Sequence, residues 1–295
     1  MVYQVNRQYE LIIGDYQTGD GLLINSLQVT FDISKASNNK DRTNSASIEI
    51  YNLSDESLKV LDTNYPAAVF SVGYRDIGLK RVFAGQVTRV TTRKQQTDRV
   101  TQIVMGSGYV ELNHQILNQL TAPGRTVKDV FEDIRNNLPG VARGVYNGTN
   151  LNNRIIYGYP LSGTPKEMLN ELSDKYQVEW QIEDDVLYAH DRARGNRENF
   201  EEAPLISPSS GLIENAYRVE LTERLSIKDK SKKQGVQWVM LLNPSLQAGD
   251  IVKLEDTLIQ GWYKIDSLRH YGGWRDDAWF TECRAVAIEK VVKNE

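Results

Sequence analysis

The period of the hydrophobic pattern changes twice along this 295-residue chain, and that change limits the fold more than any other feature. Over roughly the first third the apolar residues recur every second position, the mark of half-buried strands. Tyr9 to Gly14 is a short apolar run, and Leu23, Asn25, Leu27, Val29 and Phe31 are expected to face one way. Ala46, Ile48 and Ile50 alternate, Ala67 to Tyr74 is a further run, and Val82–Thr92 and Arg99–Met105 form two long strands. Gln95-Gln96-Thr97-Asp98 between them reads as a hairpin loop. One short helix interrupts, over Asp55–Leu61, with Asn52 and Ser54 offering capping oxygens ahead of it.

The middle of the chain switches to a helical period. Val127, Val130, Phe131, Ile134 and Leu138 lie on one stripe, opened by the capping sequence Thr126-Val127-Lys128-Asp129 and stopped by Pro139-Gly140. A second helix opens at Thr164-Pro165-Lys166-Glu167, with Met168, Leu169, Leu172 and Tyr176 on its buried stripe. Val178, Trp180 and Ile182 then alternate, Glu183-Asp184-Asp185 turns the chain, and Val186–Ala189 returns. The charged stretch from Asp191 to Glu202 marks a loop or boundary, after which strand patterning resumes to Ile288. Tyr263 and Ile265 are expected to face the core of this last part. The fold class is therefore mainly β with α+β: a β domain over 1–112, an α+β domain over 113–200 and a second β domain over 201–295.

Function classes fall away on composition and motif. The net charge is -4, so the balance shows no basic footprint for gripping nucleic acid. A single cysteine, Cys283, allows no disulfide within the chain and fits a reducing compartment. The opening residues lack a signal-peptide pattern, and no apolar run approaches the roughly 20 residues of a membrane helix. The expected site of synthesis is the cytoplasm. His114, His190 and His270 stand far apart, away from Cys283, and are expected at the surface or in hairpins rather than on a metal. No GxSxG elbow or phosphate-cradling loop occurs, and Gly106-Ser107-Gly108 reads as a strand end that permits a bend.

Three clusters carry alternatives. Glu179, Glu183, Asp184 and Asp185 contain enough carboxylates for a glycosidase pair. The turn at 183–185 favours solvated acids instead, and Glu183→Ala and Asp184→Ala are expected to be nearly silent. The basic loop Lys228–Lys233 is short, interrupted by Asp229 and without aromatics, so a solvated loop or a contact to an acidic neighbour is favoured over phosphate binding. Tyr271, Trp274, Trp279 and Phe280 have the rings to stack a sugar, but a long hairpin packing across itself at Gly272-Gly273 accounts for them. No catalytic, cofactor or metal residue is assigned.

Three stretches, taken in order, carry a resemblance. Ala46–Leu61, ASIEIYNLSDESLKVL, leads a strand through an Asn-Leu-Ser turn into a short helix. Gly163–Tyr188 runs a capped helix into a hairpin containing a tryptophan. Leu242–Val252, Gly261–Ile265 and Arg269–Trp274 join a Leu-Asn-Pro entry and a Gly-Asp turn to a His-Tyr-Gly-Gly hairpin. Together they resemble the baseplate hub proteins of contractile-tailed bacteriophages. The resemblance implies two tube-like β-barrel domains flanking the α+β domain. It also implies a homotrimer, whose ring joins the six-fold tail tube to the three-fold central spike and lets DNA pass. The implied partners are the spike, the tube protein or tube initiator, and wedge or sheath-initiator proteins, all in the tail baseplate of the virion. Membrane insertion and enzymatic activity are not expected. A tube initiator, an adaptor ring, a cell-wall hydrolase and a carbohydrate-binding tail component are the rival readings.

Overall fold

The computed structural model describes residues 6–14, 21–40, 43–61, 67–192, 203–224 and 232–288. The N-terminal strands are β1 (Arg7–Gly14), β2 (Gly21–Ile24), β3 (Val29–Ala36), β4 (Ser45–Tyr51), β5 (Ala67–Tyr74), β6 (Gly78–Gln95) and β7 (Asp98–Gly106), with helix α1 (Asp55–Leu61) between β4 and β5. The C-terminal strands are β13 (Leu205–Ile206), β14 (Tyr217–Arg224), β15 (Lys232–Leu241), β16 (Ile251–Glu255), β17 (Gln260–Gly273) and β18 (Trp279–Ala287). Between them lie α2 (Tyr109–His114), β8 (Leu117–Leu120), α3 (Val127–Asn136), β9 (Ala142–Asn147), β10 (Pro160–Gly163), α4 (Pro165–Tyr176), β11 (Val178–Glu183) and β12 (Val186–Asp191).

The local signals act as their chemistry requires. Thr126 and Thr164 each accept from the amide three residues on, and Asp129 and Glu167 reach back to the cap amides, so both helices start at capping boxes. The expected stop at Pro139-Gly140 lies beyond the last helical residue, Asn136. Ser54 caps α1 by accepting from the Ser57 amide at 3.1 Å. Asn52 turns the corner ahead of it in the left-handed region (φ 57°), with its side chain on Asp98 and the Arg99 amide. Gly108, also left-handed (φ 59°), opens α2, a short helix that the sequence pattern does not reveal.

Two expectations fail here. Leu23 and Phe31 do not share a face, because β2 ends at Ile24 and the chain bends over 25–27 before β3. Ile24 is buried, whereas Leu23 is 55% exposed. The two expected closed barrels are also not detected among the described residues. Both β units belong to one thirteen-stranded sheet whose path, among the described residues, runs β14-β15-β18-β17-β3-β4-β7-β6-β5-β1-β2 and stays open at β14 and β2, with β16 and β13 branching from β17. The seam is the antiparallel pairing of β3 with β17, from Ser267 opposite Ala36 to Gly273 opposite Thr30. Each half curls over its own core, so Phe31 on β3 meets Phe70 on β5 at 5.1 Å. Bending one continuous sheet satisfies the ladder at the seam, where two closed barrels would leave no shared strand pair.

The C-terminal hairpin reaches into the N-terminal core. Trp279 and Leu242 are members of it, with Trp279 edge-on to Phe31 at 5.1 Å. Arg7 donates to the backbone carbonyls at the hairpin tip, including Asp277 at 3.0 Å, and lies over the Trp279 ring. The α+β unit has its own core, in which α4 packs on β11, α3 packs on α4 and β9, and β9 extends the β11–β12 hairpin in parallel.

Tyr263 and Ile265 face the C-terminal core, as their alternation predicts. A register shift between Ile265 and Ser267 then moves the inward face to Leu268 and His270. Ile265→Asp is expected to cost several kcal/mol, since a lone carboxylate there must be desolvated or protonated. Urea denaturation of the variant checks this, and a native midpoint would refute the register.

Candidate functional site

The candidate site is the junction where the α+β unit meets the sheet, and β11 makes it. All six of its residues are buried. Val178, Trp180 and Ile182 enter the α+β core. Glu179 (3% exposed), Gln181 and Glu183 (5% exposed) point the other way, into the β units. Glu183 Oε1 is 2.8 Å from Nζ of Lys35, and both side chains are buried. Gln181 donates to the Ala248 carbonyl at 3.4 Å. Glu179 Oε2 lies 3.3 Å from Nζ of Lys264 and 3.1 Å from Nε2 of His190.

The outer edge of β11 is closed as well. The Asn39 amide donates to the Trp180 carbonyl, the Ile182 amide donates to Asn39 Oδ1, and Asn44 Nδ2 donates to the Ile182 carbonyl, each at 2.8 Å. One loop thus imitates a neighbouring strand and covers an edge that would otherwise invite pairing. Asp184, in the left-handed region with Asp185, accepts from the Ala84 amide and from Arg81, both at 3.1 Å.

These contacts correct the expected character of the acidic cluster. The turn at Asp184-Asp185 is present, but the carboxylates of Glu179, Glu183 and Asp184 are engaged rather than solvated. Nor do Glu179 and Glu183 flank an open sugar cleft, because lysine ammonium groups occupy the space before them. Lys35, Lys264, Asn39 and Asn44 were not singled out from the sequence. Lys35 carried a usable signal: it continues the inward series Val29, Phe31, Ile33, where a cation needs a buried partner.

The histidines divide. His114 is exposed at the end of α2, whereas His190 and His270 lie in the β11–β12 and β17–β18 hairpins with their side chains buried. Burial pulls the His190 pKa down, aided by the Lys264 charge and opposed by Glu179. Burial likewise takes His270 to about 3, with the Lys35 charge acting in the same direction. His270 Nδ1 sits 2.9 Å from Thr281 Oγ1. Burial raises the Cys283 thiol pKa far above its ordinary value, which leaves it unreactive.

Among the aromatic group, Tyr271 and Phe280 pack across the hairpin at 5.8 Å, Trp279 is internal, and Trp274 lies edge-on to Tyr9 at 5.5 Å. The group therefore serves packing within and beyond the hairpin. Of the basic loop, 228–231 lies outside the described residues, and Lys232 and Lys233 begin β15. Among the described residues no group of three or more His, Cys, Asp or Glu is placed to hold a metal, and no helix is long and apolar enough to cross a membrane. A cavity of about 270 Å³ opens at the seam, lined by Ser34, Lys35, Arg269, Glu282 and Arg284 among others.

Two expectations follow for stability. Glu183→Ala strands Lys35 in a buried site, and such losses cost about 3–5 kcal/mol. Glu183→Leu combined with Lys35→Met is expected to recover most of that loss, as urea midpoints of the single and double variants will show. The histidines set a pH dependence. Above their unfolded pKa near 6.5, both are neutral whether folded or unfolded. As pH falls below it, the unfolded chain takes up protons that the folded chain refuses, so stability drops by up to about 1.4 kcal/mol per pH unit for each histidine. The urea midpoint is expected to fall between pH 7.5 and pH 5.5, and to fall less in His270→Gln.

No protein-family model matches the chain, and no curated protein sequence matches it. Solved structures do. The tail protein from Neisseria meningitidis MC58 superposes with a TM-score of 0.66 at 13% identity, over 95% of this chain and 96% of that one. The 43 kDa tail protein of prophage MuSo2 from Shewanella oneidensis gives 0.64 at 9% identity, over 96% and 98%. An E. coli component of the type VI secretion system, described as structurally similar to the T4 tail proteins gp27 and gp5, gives 0.62 at 11% identity, over 89% and 74%. The chain, mostly β with an α+β unit set between its β halves, has the fold of phage and prophage tail proteins.

Proposed function

We propose that this chain is a structural subunit of a phage baseplate hub, three copies of which form a ring joining a six-fold tail tube to a three-fold central spike. The observation that carries this is the open sheet. Each protomer joins two β units through β3 and β17, and among the described residues the sheet path ends at β2 and β14, with β13 ending a side branch. Terminal strands expose unpaired backbone groups that a neighbour can cover, and head-to-tail pairing stops growing when it closes a ring. Three copies bring six β units, which match a six-fold tube on one side while keeping three-fold symmetry for a spike on the other. Near-complete coverage of the tail proteins in both directions supports a tail role for the whole chain.

The chain is not an enzyme in this reading. The carboxylates of the one candidate pair hold lysines, and the rings that could bind sugar pack in the protein. Its partners are the spike, the tube protein or its initiator, and wedge or sheath-initiator proteins, in a virion baseplate assembled in the host cytoplasm. DNA passes through without specific binding.

Light scattering of the purified chain, alone and with the spike protein, is expected to give the mass of three copies at high concentration. A strict monomer under both conditions overturns the proposal.

A further inference from the structure

The face of the large sheet turned away from both β cores runs unbroken across the seam. Its central strands present small hydroxyl side chains, Thr30 and Ser34 on β3 and Ser45 and Ser47 on β4. Three arginines are held on that surface by neighbouring side chains. Arg269 on β17 sets Nε against one carboxylate oxygen of Asp32 at 2.8 Å, and its Nη2 donates to the other. Arg93 on β6 reaches across β7 to Glu49 on β4 at 2.8 Å. Arg284 on β18 donates to Gln237 at 3.0 Å, and Gln237 donates to Glu282 at 2.7 Å. Arg89 stands beside Val104 at the margin of the same face.

Exposed ion pairs add little to stability. Their concentration on one face is better explained by what that face must not do. A free guanidinium matches a phosphate with the same two-pronged fork that Arg269 gives to Asp32. Several such groups together retain nucleic acid by displacing its counter-ions. We propose that Asp32, Glu49 and Glu282 are built-in counter-ions on a channel-lining face, holding Arg269, Arg93 and Arg284 flat so that nucleic acid passes without being gripped. The inference rests on the ring reading above. In that ring this sheet face, which carries neither β core, is turned to the bore.

Two measurements on the assembled ring test it. The double variant Asp32→Asn, Glu49→Gln frees two guanidiniums per copy. Its ring is expected to bind duplex DNA roughly tenfold more tightly than the parent, with the gain lost as salt rises. The control Glu56→Gln, Asp76→Asn removes the same charge from exposed positions off this face and is expected to leave binding unchanged. Equal gains in both variants, or none in the first, overturn the counter-ion role.

The second measurement uses Ser45→Cys, a clean reporter because the native Cys283 is buried. A small maleimide is expected to label this variant in the ring and in the dissociated chain alike. A maleimide on a protein-sized polymer is expected to label only the dissociated chain. Equal polymer labelling of both forms overturns the placement of the face. A chain whose mass never rises above the monomer fails at the ring itself, which light scattering reports separately from either labelling or DNA binding.

Discussion

The arrangement of the whole chain depends on the second face of β11. A strand buried on both faces ordinarily reads as a continuous apolar run. This one reads as half-wet, because its second buried face meets lysines, a histidine and backbone groups instead of hydrocarbon. Desolvating these ions is expensive, and their mutual attraction repays it only in one geometry. An apolar contact would tolerate sliding and rotation. The Glu183–Lys35 and Glu179–Lys264 pairs do not, and they touch opposite sides of the seam, Lys35 on β3 and Lys264 on β17. The α+β unit is therefore fixed to both β halves at once, and it fixes them relative to each other.

Local signals were legible because they rest on local chemistry. The capping boxes at Thr126 and Thr164, the hairpin at Gln95–Asp98 and the inward face of Tyr263 and Ile265 are each settled by residues within a few positions. What escaped the sequence depends on partners far along the chain. Nothing in the alternation of β3 or β17 announces that the two strands pair, since each would read the same beside any other neighbour. The register shift after Ile265 is likewise invisible, because Asp266 and Ser267 are ordinary strand-edge residues until β18 fixes the count opposite them.

The site shows the same division. The acidic cluster was visible as a cluster, but its state depended on which face of β11 met water. The rule that polar positions in an alternating strand are solvated failed at Glu179 and Glu183 for one reason, the lysines 85 and 148 positions away in sequence, respectively. The burial of His190 and His270 within their hairpins was hidden for the same cause: a histidine in a strand is buried or exposed according to what later packs on that strand. The resemblance to hub proteins pointed to the tail-protein fold, though not to its one continuous sheet, because it rests on the order of three segments, and order along the chain survives when register and burial are unknown.

The plug formed by the C-terminal hairpin bears on synthesis. The N-terminal core is completed by Trp279 and braced by the grip of Arg7 on the hairpin tip. A ribosome must therefore deliver the chain as far as this hairpin before the N-terminal core can be completed. Contacts this distant in sequence slow folding and leave sheet edges uncovered meanwhile.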